Sequence, residues 1–263
     1  MEEDLDARVL GNFVHMVMER YYKGIIAAKG NGHIEPADLE KPLPVVLRIV
    51  DDVFRETYRL DVSKPVAYAG QRLVVREIVL RFAERILAMD RSYAPFSIEA
   101  LEHRGMTHTF KLKADGSPEV VVGGIIDRAD MKGDVVRVID YKTGKDRIDI
   151  KNDVHELFKR DTDRNKAAFQ TLLYAFLYKM NARTDGLKVI PGLMNRINLF
   201  DDNYTFGLTL NNKPLGDVDP LIRDFLDNLV STLEELFDKR VPFDQTTNVS
   251  TCRLCSYQAL CYR

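Results

Sequence analysis

The stretch from Gly123 to Gly144 constrains this chain more than any other. Gly123-Gly124-Ile125-Ile126-Asp127-Arg128 and Val138-Ile139-Asp140-Tyr141-Lys142-Thr143-Gly144 read as two strands joined by a tight turn at Lys132-Gly133-Asp134-Val135. A glycine in the first central position fits a two-residue type II′ hairpin loop. Such a loop pairs Lys132 with Val135, and the same register carries Asp127 directly opposite Asp140. A three-residue loop would break that register. Because side chains alternate along a strand, Lys142 shares the face of Asp140 and Tyr141 takes the other. Two carboxylates opposed on one sheet face repel unless a cation lies between them. A hard divalent cation suits the position, since Mg²⁺ is usually held by one or two carboxylates with several waters retained.

The chain has 263 residues, enough for one sizeable domain or a domain with a large insertion. Charged residues at 30% and hydrophobic residues at 45% describe an ordinary globular composition. The formal net charge of −2 excludes a uniformly basic nucleic-acid binder but leaves room for a local basic path. No run is long and apolar enough to span a membrane, and no signal peptide is expected at the acidic start. The three cysteines fall together as Cys252-x-x-Cys255-x5-Cys261. An odd count is a poor disulfide framework, so a reducing, cytoplasmic setting is expected. The spacing suits a metal or Fe–S cluster, but such sites normally take four thiolates and the sequence has no fourth cysteine.

Helical periodicity opens the chain. Leu10, Phe13, Val14, Val17, Met18 and Tyr21 mark a core face, while Gly11, His15 and Glu19 form a separate stripe. From about Leu39 to Met89 the pattern is again helical, with one long helix expected from Gln71 to Asp90. Residues 35–95 are therefore expected to be a helical insertion within a single domain over 1–263. Strands are expected at Ser97 to Arg104, Thr107 to Leu112, Glu119 to Met131, Val135 to Lys142, Leu187 to Leu199 and Tyr204 to Leu210. Lys145 to Lys166, dense in charge, is expected to be an exposed connection. The next helix would bury Phe169, Leu172, Leu173, Phe176 and Met180. The last, opened by Asp219-Pro220 and running to about Lys239, would bury Ile222, Phe225, Leu226, Leu229, Leu233 and Leu236. The cysteines lie in a tail over 245–263. The fold class expected is α/β, a mixed central sheet flanked by helices.

Asp-x-Lys at the end of a buried strand, with an acidic residue on the strand before it, resembles the PD-(D/E)xK nuclease superfamily. Gly124-Ile125-Ile126-Asp127-Arg128-Ala129-Asp130, then Ile139-Asp140-Tyr141-Lys142-Thr143-Gly144, then Gln170-x-x-x-Tyr174, resembles its RecB-like branch. There an upstream helix supplies a histidine in a Gly-x-x-x-His setting, matched by Gly11 to His15. The cysteine trio is similar to that of the Fe–S members, the AddB-type subunits of helicase–nuclease complexes and the CRISPR-associated exonucleases. The helical insertion favours the AddB-type comparison. In those families the first cysteine lies upstream of the histidine helix. The resemblance thus implies a C-terminal nuclease domain cut from a longer protein, with its [4Fe–4S] cluster incomplete in this chain.

The resemblance implies a Mg²⁺- or Mn²⁺-dependent deoxyribonuclease acting on single strands or duplex ends, an exonuclease module of a repair helicase–nuclease with a partner subunit. Asp127 and Asp140 would hold the metal, with the Tyr141 carbonyl and a His15 ring nitrogen as further ligands. Lys142 would orient the attacking water or stabilise charge at the phosphate. Gln170 and Tyr174 would support the site or touch the substrate backbone, and Gly11 would leave room for a close approach. Glu19 would orient His15. Arg128, with Arg104, Lys111, Lys113 and Lys145, would line a phosphate path. Glu99 reads as an ordinary strand-end charge. Each has a plainer reading: surface ion pairs for Asp127, Asp140 and Lys142, a core histidine, a good helix former in Gln170, solvated charge for the basic residues. Burial implied by Ile125, Ile126, Val138 and Ile139 weighs against the first, because unpaired buried carboxylates are costly. The rival functions are a non-catalytic DNA-binding or scaffold module of such a complex, a CRISPR-associated Fe–S exonuclease, and another metal-dependent hydrolase.

Overall fold

In a computed structural model, residues 7–113, 119–160, 163–196, 198–201, 204 and 206–262 are described. In chain order the elements are α1 (Ala7–Lys29), β1 (His33–Ile34), α2 (Leu43–Tyr58), α3 (Gln71–Tyr93), β2 (Phe96–His103), β3 (Thr107–Lys111), β4 (Glu119–Gly123), β5 (Ile126–Lys132), β6 (Val135–Lys142), β7 (Asp149–Ile150), α4 (Lys166–Asn181), β8 (Lys188–Asn195), β9 (Thr209–Leu210), β10 (Lys213–Pro214) and α5 (Asp219–Phe237). The central sheet has the order β1-β2-β5-β6-β8; all its pairs are antiparallel except β6–β8, which is parallel. It is the mixed sheet between helices that the sequence leads one to expect. No helix among the described residues is long and apolar enough to cross a membrane.

The β5–β6 hairpin has the expected register, with Lys132 paired to Val135 and Arg128 to Ile139. Gly133 takes φ +60°, the left-handed conformation that a type II′ loop requires at that position. Alternation then splits the molecule into two cores. Ile139, Tyr141 and Met194 face α1, α2 and α3, with all six predicted apolar residues of α1 buried. Val136, Val138 and Leu193 face α4 and α5 across the other side.

Several expected elements differ. Glu119 to Met131 is not one strand. It breaks after Gly123, and β4 leaves the central sheet to pair with β3. At the break, a Cβ on Gly124 would lie 2.3 Å from Cε1 of Tyr174, so only glycine lets that ring approach. The connection from Lys145 to Lys166 is not simply exposed. It holds β7 and a 3₁₀ turn at Val154–Phe158, and Ile150, Val154 and Leu157 are buried in the second core. Residues 161–162 of it lie outside the described residues. Of the strand expected over Tyr204 to Leu210, only Thr209–Leu210 is extended and paired, while 205 lies outside the described residues. The strand expected to reach Leu199 ends at Asn195, and 197 is likewise undescribed. Met180 and Leu236, taken for core residues, are half exposed at the ends of their helices.

Candidate metal and phosphate site

The site lies where β5 and β6 approach their open ends, on the face that α4 covers. Asp127 and Asp140 are both buried. Asp127 Oδ2 accepts the backbone N–H of Tyr141 at 2.8 Å, a cross-strand bond that fixes its carboxylate. Lys142 Nζ reaches Asp140 Oδ1 at 3.0 Å and Gln170 Oε1 at 3.2 Å. Gln170 Nε2 in turn donates to the Tyr174 hydroxyl at 2.6 Å. The start of α4 is pinned by Asn165, whose side-chain oxygen caps Ala168 N and whose amide donates to Arg147 O and Asp149 O. Those bonds tie the segment after β6 to the helix that brings Gln170 to Lys142. A cap of this kind contributes about 1 kcal/mol.

His15 comes from α1. Its Nε2 lies 3.1 Å from the Tyr141 carbonyl oxygen, and its Nδ1 lies 2.9 Å from Glu102 Oε1 and 3.5 Å from Asp127 Oδ1. Two runs of polar contacts thus meet at the site, one through His15, Glu102, Asp127 and the Tyr141 backbone, the other through Asp140, Lys142, Gln170 and Tyr174. Among the described residues, the acidic and histidine side chains that gather with ligand atoms within 4.8 Å of one another are His15, Glu102 and Asp127. Asp140 stands beside them with its carboxylate turned to Lys142.

Glu102 escaped the sequence reading, which weighed Glu99 instead. The pairs Leu101–Arg128 and His103–Ile126 bracket Glu102 opposite Asp127, so Glu102, Asp127 and Asp140 form a row across β2, β5 and β6. An irregularity between Ile98 and Ala100 shifts the β2 register and leaves Glu99 exposed in the bulge. Alternation read from the sequence cannot cross such a bulge. The only usable signal was the β2–β5 pairing itself.

Other expectations change. Arg128 does not face the phosphate side. It is one residue from Asp127, so its side chain points through the opposite face, where it is fully buried and held by Asp90 at 2.7 and 2.8 Å and by Asp130 at 3.1 Å. It cannot touch substrate. Glu19 bonds Lys23 one turn away at 2.6 Å, and it is Glu102 that holds His15. An added Cβ on Gly11 would meet Thr143 Oγ1 at 3.7 Å, an ordinary contact, so the fold does not itself require glycine there. Arg104, Lys111, Lys113 and Lys145 are exposed. Cys252 is buried, Cys255 exposed and Cys261 half-buried, all as free thiols.

The electrostatics are those of an unbalanced site. Burial raises Asp127, and the neighbouring Asp140 raises it further, to about 7. Asp140 is raised by burial too, despite the opposing pull of Lys142. Burial alone would lower His15, but the Glu102 hydrogen bond and the charges of Asp127 and Glu102 outweigh it and lift the ring to about 9. Lys142 rises because Asp140 overcomes the effect of burial.

A divalent cation fits this donor set. Asp140 Oδ2 is buried and lacks a hydrogen bond of good geometry, although the Lys142 ammonium lies 2.8 Å away. Nε2 and the Tyr141 oxygen face each other, and two acceptors can do so only with a proton or a cation between them. A family model described as the PD-(D/E)XK nuclease superfamily matches residues 1–262. The chain belongs to the PD-(D/E)XK nuclease superfamily. No curated protein matches the chain. Membership implies a metal-dependent nuclease with DNA as its substrate. The geometry adds which side chains of this member share the site.

Proposed function

We propose that this chain is a Mg²⁺- or Mn²⁺-dependent deoxyribonuclease of the RecB-like branch, working as an exonuclease module of an AddB-type helicase–nuclease in break repair. The observation that carries the nuclease reading is the buried pair Asp127 and Asp140, with Lys142 anchored between Asp140 and Gln170. Asp127, Asp140, His15 Nε2 and the Tyr141 carbonyl would hold the metal. When bound, it supplies Lewis-acid polarisation of the scissile phosphate and lowers the pKa of a water nucleophile. Lys142 would stabilise the charge that develops on the phosphate oxygens. Gln170 and Tyr174 restrict the Lys142 side chain, so less of its freedom is lost when substrate binds. The exonuclease and helicase–nuclease assignments rest on the resemblance of Gly11 to His15, Gly124 to Asp130, Ile139 to Gly144 and Gln170 to Tyr174. The trio Cys252, Cys255 and Cys261 would supply part of a [4Fe–4S] site in the same reading.

The test is incubation with linear single-stranded, linear duplex and circular DNA, with Mg²⁺, Mn²⁺ or EDTA, beside Asp140→Ala and Lys142→Ala. Metal-dependent loss of linear DNA with circles spared, abolished in both variants, is the expected result. Nicking of circles would replace the exonuclease with an endonuclease. DNA binding without cleavage in any metal would favour a scaffold module.

A further inference from the structure

Glu102 is an L residue at φ +42° inside a strand, a conformation that such side chains rarely adopt and that is retained where surroundings demand it. The bulge at Glu99 and this left-handed residue together turn the Glu102 carboxylate toward α1. The Glu102 carboxylate accepts a hydrogen bond from His15 Nδ1 at 2.9 Å. Asp127 also approaches Nδ1, but at the longer 3.5 Å, and its other oxygen is taken by the Tyr141 N–H. With Nδ1 satisfied by Glu102, the Nε2 side of the ring faces the Tyr141 carbonyl and Asp127 Oδ1 is not required to hold the imidazole.

We propose that Glu102 is a positioning residue that acts through His15, accepting the Nδ1 hydrogen so that Nε2 is the ring atom offered to the cation. The inference rests on the metal-dependent reading of the site above and adds a carboxylate that reading does not use. A histidine ligand whose other nitrogen donates to a carboxylate has a fixed ring orientation and a more basic ligating atom. Glu102 as a direct ligand is the competing role, because one of its oxygens also lies within 4.8 Å of the His15 and Asp127 ligand atoms.

The two roles separate in a double-mutant cycle read by calorimetric titration of the whole chain with Mn²⁺. The proteins are wild type, Glu102→Ala, Glu102→Gln, His15→Ala, the combined His15→Ala/Glu102→Ala and, as control, Asp127→Ala. Circular dichroism melts of the metal-free proteins check folding. Expected is a loss of about 10–100-fold in Mn²⁺ affinity for Glu102→Ala. Glu102→Gln should lose less, since its amide oxygen still accepts from Nδ1. The double variant should bind no more weakly than His15→Ala. A further loss in the double variant would overturn the proposal in favour of direct ligation. Unchanged affinity in Glu102→Ala would overturn it outright. Should Glu102→Ala fail to fold, Glu102→Gln decides, and a loss as deep as that of Asp127→Ala overturns the proposal. Absence of Mn²⁺ binding by wild type would instead sink the metal-dependent reading, and this inference with it.

Discussion

Strands β5 and β6 carry two buried charge clusters, one on each face, and they are built on opposite terms. On the α3 side, Arg128 and Arg137 meet Asp90 and Asp130, two guanidinium groups against two carboxylates at 2.7–3.2 Å. The Tyr22 hydroxyl adds a 2.5 Å bond to Asp90, and Arg137 lies over the Tyr93 ring. Burial would raise Asp90, but Arg128 overrules it and Asp90 ends below the usual carboxylate range. On the α4 side, Glu102, Asp127 and Asp140 face one ammonium and one imidazole, and both aspartates are raised. The first cluster balances two positive charges against two negative ones without any ligand. The second lacks positive charge, and a divalent cation would make up the difference. The same strand register thus supplies a rigid clamp on one face and an open site on the other.

The largest expected effect breaks the closed cluster. Arg128→Ala leaves Asp90 buried without its principal partner and should cost about 3–5 kcal/mol in denaturant melts, with or without Mn²⁺. If the loss is below about 1 kcal/mol, the clamp is not what holds α3 on the sheet. The open cluster should respond in the opposite sense. Asp127→Asn keeps an oxygen for the Tyr141 N–H and removes the like charge beside Asp140. It should stabilise the metal-free protein by about 2 kcal/mol near pH 8 while abolishing Mn²⁺ stabilisation and cleavage. Destabilisation in metal-free melts would mean that the aspartates are already balanced.

How much of this contrast the sequence discloses depends on whether a contact follows from one hairpin or needs distant pairing. The turn at Gly133 fixes Asp127 against Asp140 from local chemistry alone. The same count places Asp130 opposite Arg137, with Arg128 on their face, so a buried pair was legible there and Arg128 was readable as a core residue. Asp90 was not, because it arrives on α3 from a helix whose docking angle no local pattern encodes. Glu102 was hidden for a different reason: the bulge at Glu99 and a left-handed backbone break the alternation on which a strand reading depends. The break after Gly123 was missed because the apolar run continues through it, whereas the Tyr174 ring that demands Gly124 lies on a separate helix.

The third expectation is a pH dependence carried by the open cluster. His15 is raised from its ordinary 6.5 to about 9, so its contribution is complete below about pH 6.5 and is lost as pH rises through 9. Asp127 is raised from 3.8 to about 7, so losing its proton through pH 7 also costs stability. Both act in one direction, and the metal-free protein should lose a few kcal/mol of stability between about pH 6 and 9.5. Saturating Mn²⁺ should cancel or reverse that slope, since the cation takes the place of the protons. Asp90, lowered in the closed cluster, acts the other way, with its contribution present above about pH 4 and lost only in more acid solution. Melting temperatures across pH, with EDTA or Mn²⁺, separate the clusters. A slope unchanged by Mn²⁺ would place its origin outside the His15 and Asp127 pair.

The smallest expected effect concerns which carboxylate serves His15. Glu19 lies one turn along α1 from His15, the spacing at which a helical partner would sit, yet its side chain turns to Lys23 near the surface. A pair of this kind contributes a few tenths of a kcal/mol. Glu19→Ala should therefore shift stability by less than about 0.5 kcal/mol and leave Mn²⁺ affinity at the wild-type value. Set beside Glu102→Ala, it asks whether the strand or the helix supplies the histidine's partner. Sequence spacing favours the helix. The 2.9 Å bond from Nδ1 favours the strand, and a drop in Mn²⁺ affinity on losing Glu19 would reverse that assignment.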